Sequence, residues 1–275
     1  LRCKRLVICP CYNEESHLDE FLDRLLRYWY GTVLVVDDGS TDSSPIIISR
    51  YRQINTIRFA HNSGYGEALK VGFQYAIENG FDQVITIDSD GQHDPSFIAS
   101  FFEALSNADM ITGTRFSEFS VQETDIPCIR LEANKFFANL VNRFCSSSLT
   151  DSLCGFRAYQ GSLLEKVRIR HSGYTMPLGL WPQLFRIKAK ISELPISLRY
   201  IDSSRNFKGQ YATLSDLFTD CVRVFFDSLQ ENGLTERISF ESRREIVDHE
   251  LEATRFCLLP RYIKCQRDSE GINAN

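Results

Sequence analysis

Short apolar, largely β-branched runs recur along the first half of the chain. Each ends in a polar turn and is followed by apolar residues spaced three and four apart. Runs of this kind predict strands, buried ones where the run is apolar and β-branched, as at Val33–Val36 and Val84–Ile87. They fall at Lys4–Cys9, Val33–Val36, Thr56–Ala60, Val84–Ile87, Met110–Thr112 and, later, Phe156–Tyr159. Between them, Leu18, Phe21, Leu22, Leu25 and Leu26 predict a helix that opens near Ser16 and stops at Gly31. Ser43 is placed to cap a second, short helix. Ala68, Leu69, Val71, Gly72, Tyr75 and Ala76 predict a third, ending at Gly80, and Leu131, Phe136, Phe137, Leu140, Val141 and Phe144 a fourth over Arg130–Phe144. Strand and helix in alternation indicate an α/β fold built on a doubly wound, mostly parallel sheet.

The second half is less regular. Residues 117–130 read as a mobile loop, and Ile191–Ile201 contains a strand pattern. Tyr174–Leu184 is apolar throughout, so it is either core or a docking face for a lipid chain. Leu214, Leu217, Phe218, Cys221, Val222, Phe225 and Leu229 form a helical stripe whose polar side is mostly acidic. That favours core or a partner contact over a membrane interface, which calls for Lys and Arg. Residues 236–258 form a charged amphipathic helix that packs on the domain or pairs with a second copy, giving a homodimer. The organisation expected is one domain over 1–210 (in two halves, 1–115 and 116–210), a helical extension over 211–265 and a disordered tail over 266–275.

The turns carry the chemistry. In an open parallel sheet the carboxyl ends of the strands share one edge, where ligands bind. Four turns, at 10–15, 37–42, 61–66 and 88–92, should therefore meet there, bringing Glu14, Asp37, Asp38, Asp88 and Asp90 together. Asp88 and Asp90 are two apart on extended backbone and point the same way. Close carboxylates repel unless a cation lies between them or one holds a proton. A hard cation such as Mg²⁺ or Mn²⁺ takes such carboxylates with water and substrate phosphate, and Gln92 offers a further oxygen. Carboxylates also suit ribose hydroxyls. Neither G-x-G-x-x-G nor a Walker lysine loop is present. A metal with carboxylates, rather than a glycine-rich phosphate cradle, fits a nucleotide sugar.

Composition narrows the classes. The chain has 275 residues, 43% hydrophobic and 24% charged, as in ordinary globular proteins. A net charge of −5 argues against general nucleic-acid affinity. No apolar run is long enough to span a bilayer and no signal peptide is visible, which predicts a cytoplasmic protein. Nine scattered cysteines, with only Cys9 and Cys11 close together, read as reduced packing residues rather than zinc ligands.

Six motifs in order resemble the inverting family-two glycosyltransferases with the A-type, nucleotide-diphospho-sugar transferase fold, and most nearly the dolichol-phosphate mannose synthase branch. They are residues 10–15 (PCYNEE), 35–42 (VVDDGSTD), 62–66 (NSGYG), 88–95 (DSDGQHDP), 113–115 (GTR) and 151–157 (DSLCGFR). The likeness covers roughly 10–160 and more loosely reaches about 210. It implies a UDP- or GDP-sugar donor and a polyprenyl phosphate acceptor, with peripheral contact at the cytoplasmic membrane face, or else a glycan or small hydroxyl acceptor. It implies that Pro10, Tyr12, Glu14 and Asp37 line the nucleoside pocket, supported by Asp38. It further implies that Asp88, Asp90 and Gln92 hold the metal, and that Arg115 and Arg130 meet phosphate charge. Gly64 and Arg157 lie in its motifs and join the substrate-binding set. Arg205 and Lys208 fit a basic segment that closes over phosphate. Ser89 departs from the small residue, typically Ala, that the family places between the aspartates. Asp151 is the acceptor-side carboxylate: a general base if the acceptor is a hydroxyl, or a structural group, pairing Arg157 for instance, if it is a phosphate.

A haloacid-dehalogenase-like phosphatase also carries D-x-D-G at a strand end. That motif normally ends the first core strand, whereas here three strands precede it. A nucleotide-binding scaffold without catalysis is the third class.

Overall fold

The computed structural model describes residues 3–120, 128–197, 214–235 and 240–253. Seven strands form one sheet: β1 (Arg5–Cys11), β2 (Thr32–Asp37), β3 (Asn55–Arg58), β4 (Gln83–Thr86), β5 (Met110–Thr114), β6 (Arg157–Gln160) and β7 (Ile191–Pro195). Their order is β3-β2-β1-β4-β6-β5-β7. Only β6 is antiparallel, inserted between β4 and β5 with Thr86 and Thr112 both opposite Arg157. The parallel register of β1 with β2 runs on through Pro10–Val36 and Cys11–Asp37, so β1 reaches two residues past the expected Cys9.

The pleat divides the core. Leu6 and Ile8 face one side with helices α3 (Tyr65–Glu78), α5 (Cys128–Cys145), α7 (Met176–Arg186) and α8 (Leu214–Glu231). Val7 and Cys9 face the other with α1 (Leu18–Tyr28), α2 (Ser44–Ser49) and α4 (Ile98–Ala104). Period-two alternation on a strand covered by helices on both faces produces this split. Gly72 lets α3 lie close on β1, because a Cβ there would meet Ile8 Cγ2 at 2.7 Å.

Besides the four-residue helix at Gly161–Leu164, α4 and α7 go beyond the sequence expectation. The spacing of Ile98, Phe101, Phe102 and Leu105 already signals α4, all four being buried. Helix α7 is masked by its own composition. Pro177 occupies the first turn, where its missing N–H costs nothing, and Pro182 interrupts the interior. Every residue from Met176 to Pro182 is buried, so no polar face marks the period. The apolar Tyr174–Leu184 stretch is thus mostly core, not a lipid-docking face. Trp181 is fully buried and donates its indole N–H to Ser152 O at 2.9 Å. The stripe on α8 is core as well: Phe225 and Leu229 are fully buried, Cys221 is buried, and Leu217, Phe218 and Val222 pack against the same cluster. Ile246 and Val247 of α9 (Phe240–Ala253) pack against the same cluster, and α6 (Gly161–Leu164) completes the helices among the described residues. No helix among the described residues is long and apolar enough to cross a membrane. The loop expected at 117–130 falls partly on residues outside the described ones, and 128–130 belong to α5.

Trp181→Ala is expected to lower unfolding free energy by about 3–5 kcal/mol, since it opens a large cavity and leaves Ser152 O without its indole partner. Urea denaturation followed by circular dichroism measures it; a cost below about 1 kcal/mol would contradict the core placement.

Candidate active site

The carboxyl ends of β2, β1 and β4 lie side by side, and their loops are sewn together by side chains. Ser40 Oγ accepts the Asn13 amide at 3.0 Å, Ser44 Oγ the Glu14 amide at 2.9 Å and Asp42 Oδ2 the Glu15 amide at 2.9 Å. In return Asn13 Oδ1 accepts the Thr41 amide at 2.8 Å and Glu15 Oε2 the Ser43 amide at 2.9 Å. Asn13 turns the chain with φ at 53°, a conformation Asn tolerates. Ser44 is thus spent on the first loop, and α2 begins under Asp42, whose Oδ1 accepts the Ser44 amide at 2.9 Å; the Ser43 side chain makes no cap. Glu14 is buried while Tyr12 is half exposed beside it.

Asp37 is fully buried. Its Oδ1 accepts the Ser40 amide at 2.9 Å, and Arg58 Nε stands 3.2 Å from Oδ2. That contact lacks hydrogen-bond geometry, so Oδ2 is a buried acceptor without a hydrogen-bond partner among the described residues. Asp38 has the opposite situation. Both its oxygens are used, by the Ser63 amide at 2.6 Å and the Gly64 amide at 2.8 Å. Burial pushes its carboxyl above the usual range, although the two amides oppose this. Asp38 therefore ties the third loop to the second. Gly64 spends its amide on Asp38, and its backbone packs against Ser172 O, with which a Cβ would collide.

The Asp88–Gln92 turn closes this edge. Ser89 Oγ donates to Pro10 O at 2.7 Å, which gives the departure from Ala a role: it bolts the end of β4 to β1. Asp88 Oδ1 accepts the Tyr65 hydroxyl at 3.0 Å, and His93 Nε2 lies 3.6 Å from Oδ2. The Asp88 side chain is 29% exposed. Burial alone would raise its carboxyl, but His93, Tyr65 and the Arg115 charge outweigh it and hold it below the usual range. Asp90 is buried and accepts from Gln92 twice, from its amide and from Nε2, each at 3.0 Å. Gln92 therefore orients Asp90 through its amide nitrogen and its backbone N–H.

These residues suit a hard divalent cation. Two carboxylates leave most coordination positions to water and diphosphate oxygens, as such ions prefer. Among the described residues no three His, Cys, Asp or Glu side chains form a closed metal cage. Room beside Asp88 exists because residue 155 is glycine; a Cβ there would collide with both carboxylate oxygens.

On the far flank Arg115, at the end of β5, grips Asp151. Nε donates to Oδ2 at 2.6 Å and Nη2 to Oδ1 at 2.9 Å, a bidentate pair. The Leu153 amide also reaches Oδ1, at 3.1 Å, and Asp151 is fully buried. Its partner is thus Arg115 and not Arg157. Arg157 is buried beneath the site, donating to Ser152 O at 3.0 Å with its guanidinium over the Trp181 ring at 4.8 Å. Its side chain is closed to solvent. Arg130 stands in the first turn of α5. Arg205 and Lys208 lie outside the described residues.

Residues 6–168 match the family model described as Glycosyl transferase family 2. This chain belongs to glycosyl transferase family 2. It is a glycosyltransferase, which removes the phosphatase alternative. Among family-two relatives, the polyprenol monophosphomannose synthase of Mycolicibacterium smegmatis is 27% identical over 70% of this chain and 77% of its own. The undecaprenyl-phosphate mannosyltransferase of Micrococcus luteus is 28% identical over 70% of this chain and 82% of its own. In structure, the glucosyl-3-phosphoglycerate synthase of Mycobacterium tuberculosis, crystallised with Mn²⁺, UDP and phosphoglyceric acid, superposes with a TM-score of 0.63 at 19% identity, over 86% of this chain and 80% of that one. That likeness shows the A-type fold of the family.

Tyr65, His93, Gly155 and Glu193 went unread as site residues. Glu193 on β7 accepts the Thr150 and Asp151 amides, each at 2.9 Å, and so holds the turn that carries Asp151. His93 follows the D-x-D-G-Q string directly, the one local signal that was available.

Arg115→Ala is expected to cost about 3–5 kcal/mol of stability, because Asp151 would remain buried and unpaired. Arg115→Lys, which keeps the charge without the fork, should fall between wild type and Ala. Chemical denaturation at neutral pH reads both; an unaffected Arg115→Ala would mean the pair bears no load.

Proposed function

We propose that this family-two enzyme transfers a sugar, with inversion, from a nucleotide-diphosphate sugar to a polyprenyl phosphate, assisted by Mg²⁺ or Mn²⁺. The observation that carries the acceptor class is the Asp151 lock. A hydroxyl acceptor needs a base with an open oxygen in reach of its proton. Asp151, the acceptor-side candidate, is fully buried with both oxygens committed. A phosphate is already anionic and needs none. The names of the mycobacterial and Micrococcus relatives support the same acceptor chemistry.

In this reading Asp37 Oδ2 accepts from a nucleoside donor group, and Tyr12 and Glu14 flank it. Asp88 and Asp90 would hold the cation, with Gln92 fixing Asp90. The cation, when bound, supplies Lewis-acid charge to the departing diphosphate. An acceptor phosphate oxygen attacks the anomeric carbon from the opposite face. The new C–O bond forms as the old one breaks, and the electron pair leaves on the diphosphate. Arg130, with Arg205 and Lys208, would neutralise acceptor phosphate. A lipid-linked acceptor also brings the enzyme to a membrane surface as a peripheral protein.

Calorimetry with UDP, GDP, dTDP and CDP, each with Mn²⁺, Mg²⁺ or chelator, tests the reading. One nucleotide should bind in a metal-dependent way, and Asp90→Ala should weaken it by about 100-fold, the upper end of what losing even a supporting group costs. Transfer from the matching sugar to polyprenyl phosphate should follow. Binding indifferent to metal, or transfer only to hydroxyl acceptors, would overturn it.

A further inference from the structure

We infer that Tyr65 is a positioning residue for Asp88, and that the 171–174 segment, acting as a strap across the start of α3, sets Tyr65 in place. The inference rests on the metal-assisted reading above and extends it to residues outside the carboxylate set.

Three observations converge. The Tyr65 hydroxyl donates to Asp88 Oδ1 at 3.0 Å, while Oδ2 faces His93, with the bare backbone of Gly155 beside both oxygens. Each Asp88 oxygen therefore has its own neighbour, which fixes the plane of the carboxylate. Secondly, the Tyr65 ring is stacked on Tyr174, with centroids 5.7 Å apart and planes 17° from parallel. Thirdly, the backbone on either side is pinned to the strap. Ser172 O accepts the Gly66 amide at 2.6 Å and the Glu67 amide at 3.2 Å. Gly64 and Gly66 are the two positions where a Cβ would run into the carbonyls of Ser172 and His171. These glycines make a seat for the strap, and the first amides of α3 are spent on it rather than on a phosphate.

The chemistry follows from the hydroxyl. A carboxylate oxygen can only accept, so the Tyr65 hydroxyl, 3.0 Å from Asp88 Oδ1, is the donor of the bond. A donor on one carboxylate oxygen orients the other toward a cation, as outer partners of metal ligands do. Phenylalanine would keep the stack and lose only this bond.

The test is calorimetry on the full chain with UDP and GDP, each with Mn²⁺ and with EDTA, for wild type, Tyr65→Phe, Tyr174→Phe and Tyr174→Ala. Tyr65→Phe should weaken Mn²⁺-dependent nucleotide binding by about tenfold, within the range for outer partners of metal ligands. It should leave binding in EDTA and the melting temperature unchanged. Tyr174→Ala should produce a smaller loss of the same metal-dependent kind, and Tyr174→Phe none. A Tyr65→Phe protein that binds Mn²⁺ and nucleotide like wild type overturns the inference, as does equal weakening with and without metal, which would mark a merely structural tyrosine. Should Tyr65→Phe not fold, the Tyr174 pair decides: equal affinities for Tyr174→Ala and Tyr174→Phe overturn the strap. If wild type itself shows no metal-dependent binding, the metal-assisted reading fails first, and that result is distinct from the others.

Discussion

Mutual repulsion among acids is the constraint around which this site is built. Asp37, Asp38, Asp88 and Asp90 all belong to the carboxyl edge of neighbouring strands, and Asp37, Asp38 and Asp90 are nearly closed to solvent. Buried carboxylates persist only with donors of their own. The chain assigns them one by one: the Ser40 amide to Asp37, the Ser63 and Gly64 amides to Asp38, Tyr65 and His93 to Asp88, Gln92 to Asp90. Three of the four are served by backbone amides in turns, so the turn conformations and the charges stabilise each other. Loosening a turn frees a charge, and removing a charge frees a turn.

The acceptor flank answers the same problem differently. Asp151 is closed off by the guanidinium of Arg115, and the turn that carries it hangs from Glu193 on β7. Burial raises the Glu193 carboxyl, with the Asp151 charge adding to it, while the Thr150 and Asp151 amides counter. One edge of the site thus relies on many weak local bonds and the other on one strong fork joined to an edge strand.

Much of this was legible before the fold was known. Apolar runs locate β1, β2, β4, β5 and β6 to within a few residues, since a buried strand and a polar turn are sharp local contrasts, whereas the more exposed β3 and β7 offer a weaker one. The meeting of the acids follows from the rule that parallel strands share their carboxyl edge. What a local pattern does not encode is pairing. Nothing in the short run at Arg157–Gln160 says that it lies antiparallel between β4 and β5. Nothing marks Tyr65 as the donor to an acid 23 positions on, or distinguishes Arg115 from Arg157 as the partner of Asp151. Both arginines stand at strand ends near it, and only the register, which turns Arg157 under Trp181, separates them.

The insertion of β6 also orders events in time. Strand β5 pairs with β6 and β7, both of which come after it in the chain. As synthesis proceeds from the amino end, β3, β2 and β1 can assemble with every neighbour already present, and β4 with all but β6. β5 then emerges with no partner, beside the bare edge of β4 that β6 will later fill. More than forty residues, α5 among them, separate β5 from β6, so the gap closes late and through a long connection. The nascent protein thus carries an open strand edge for a whole stage of its making, the kind of surface that invites pairing with another chain.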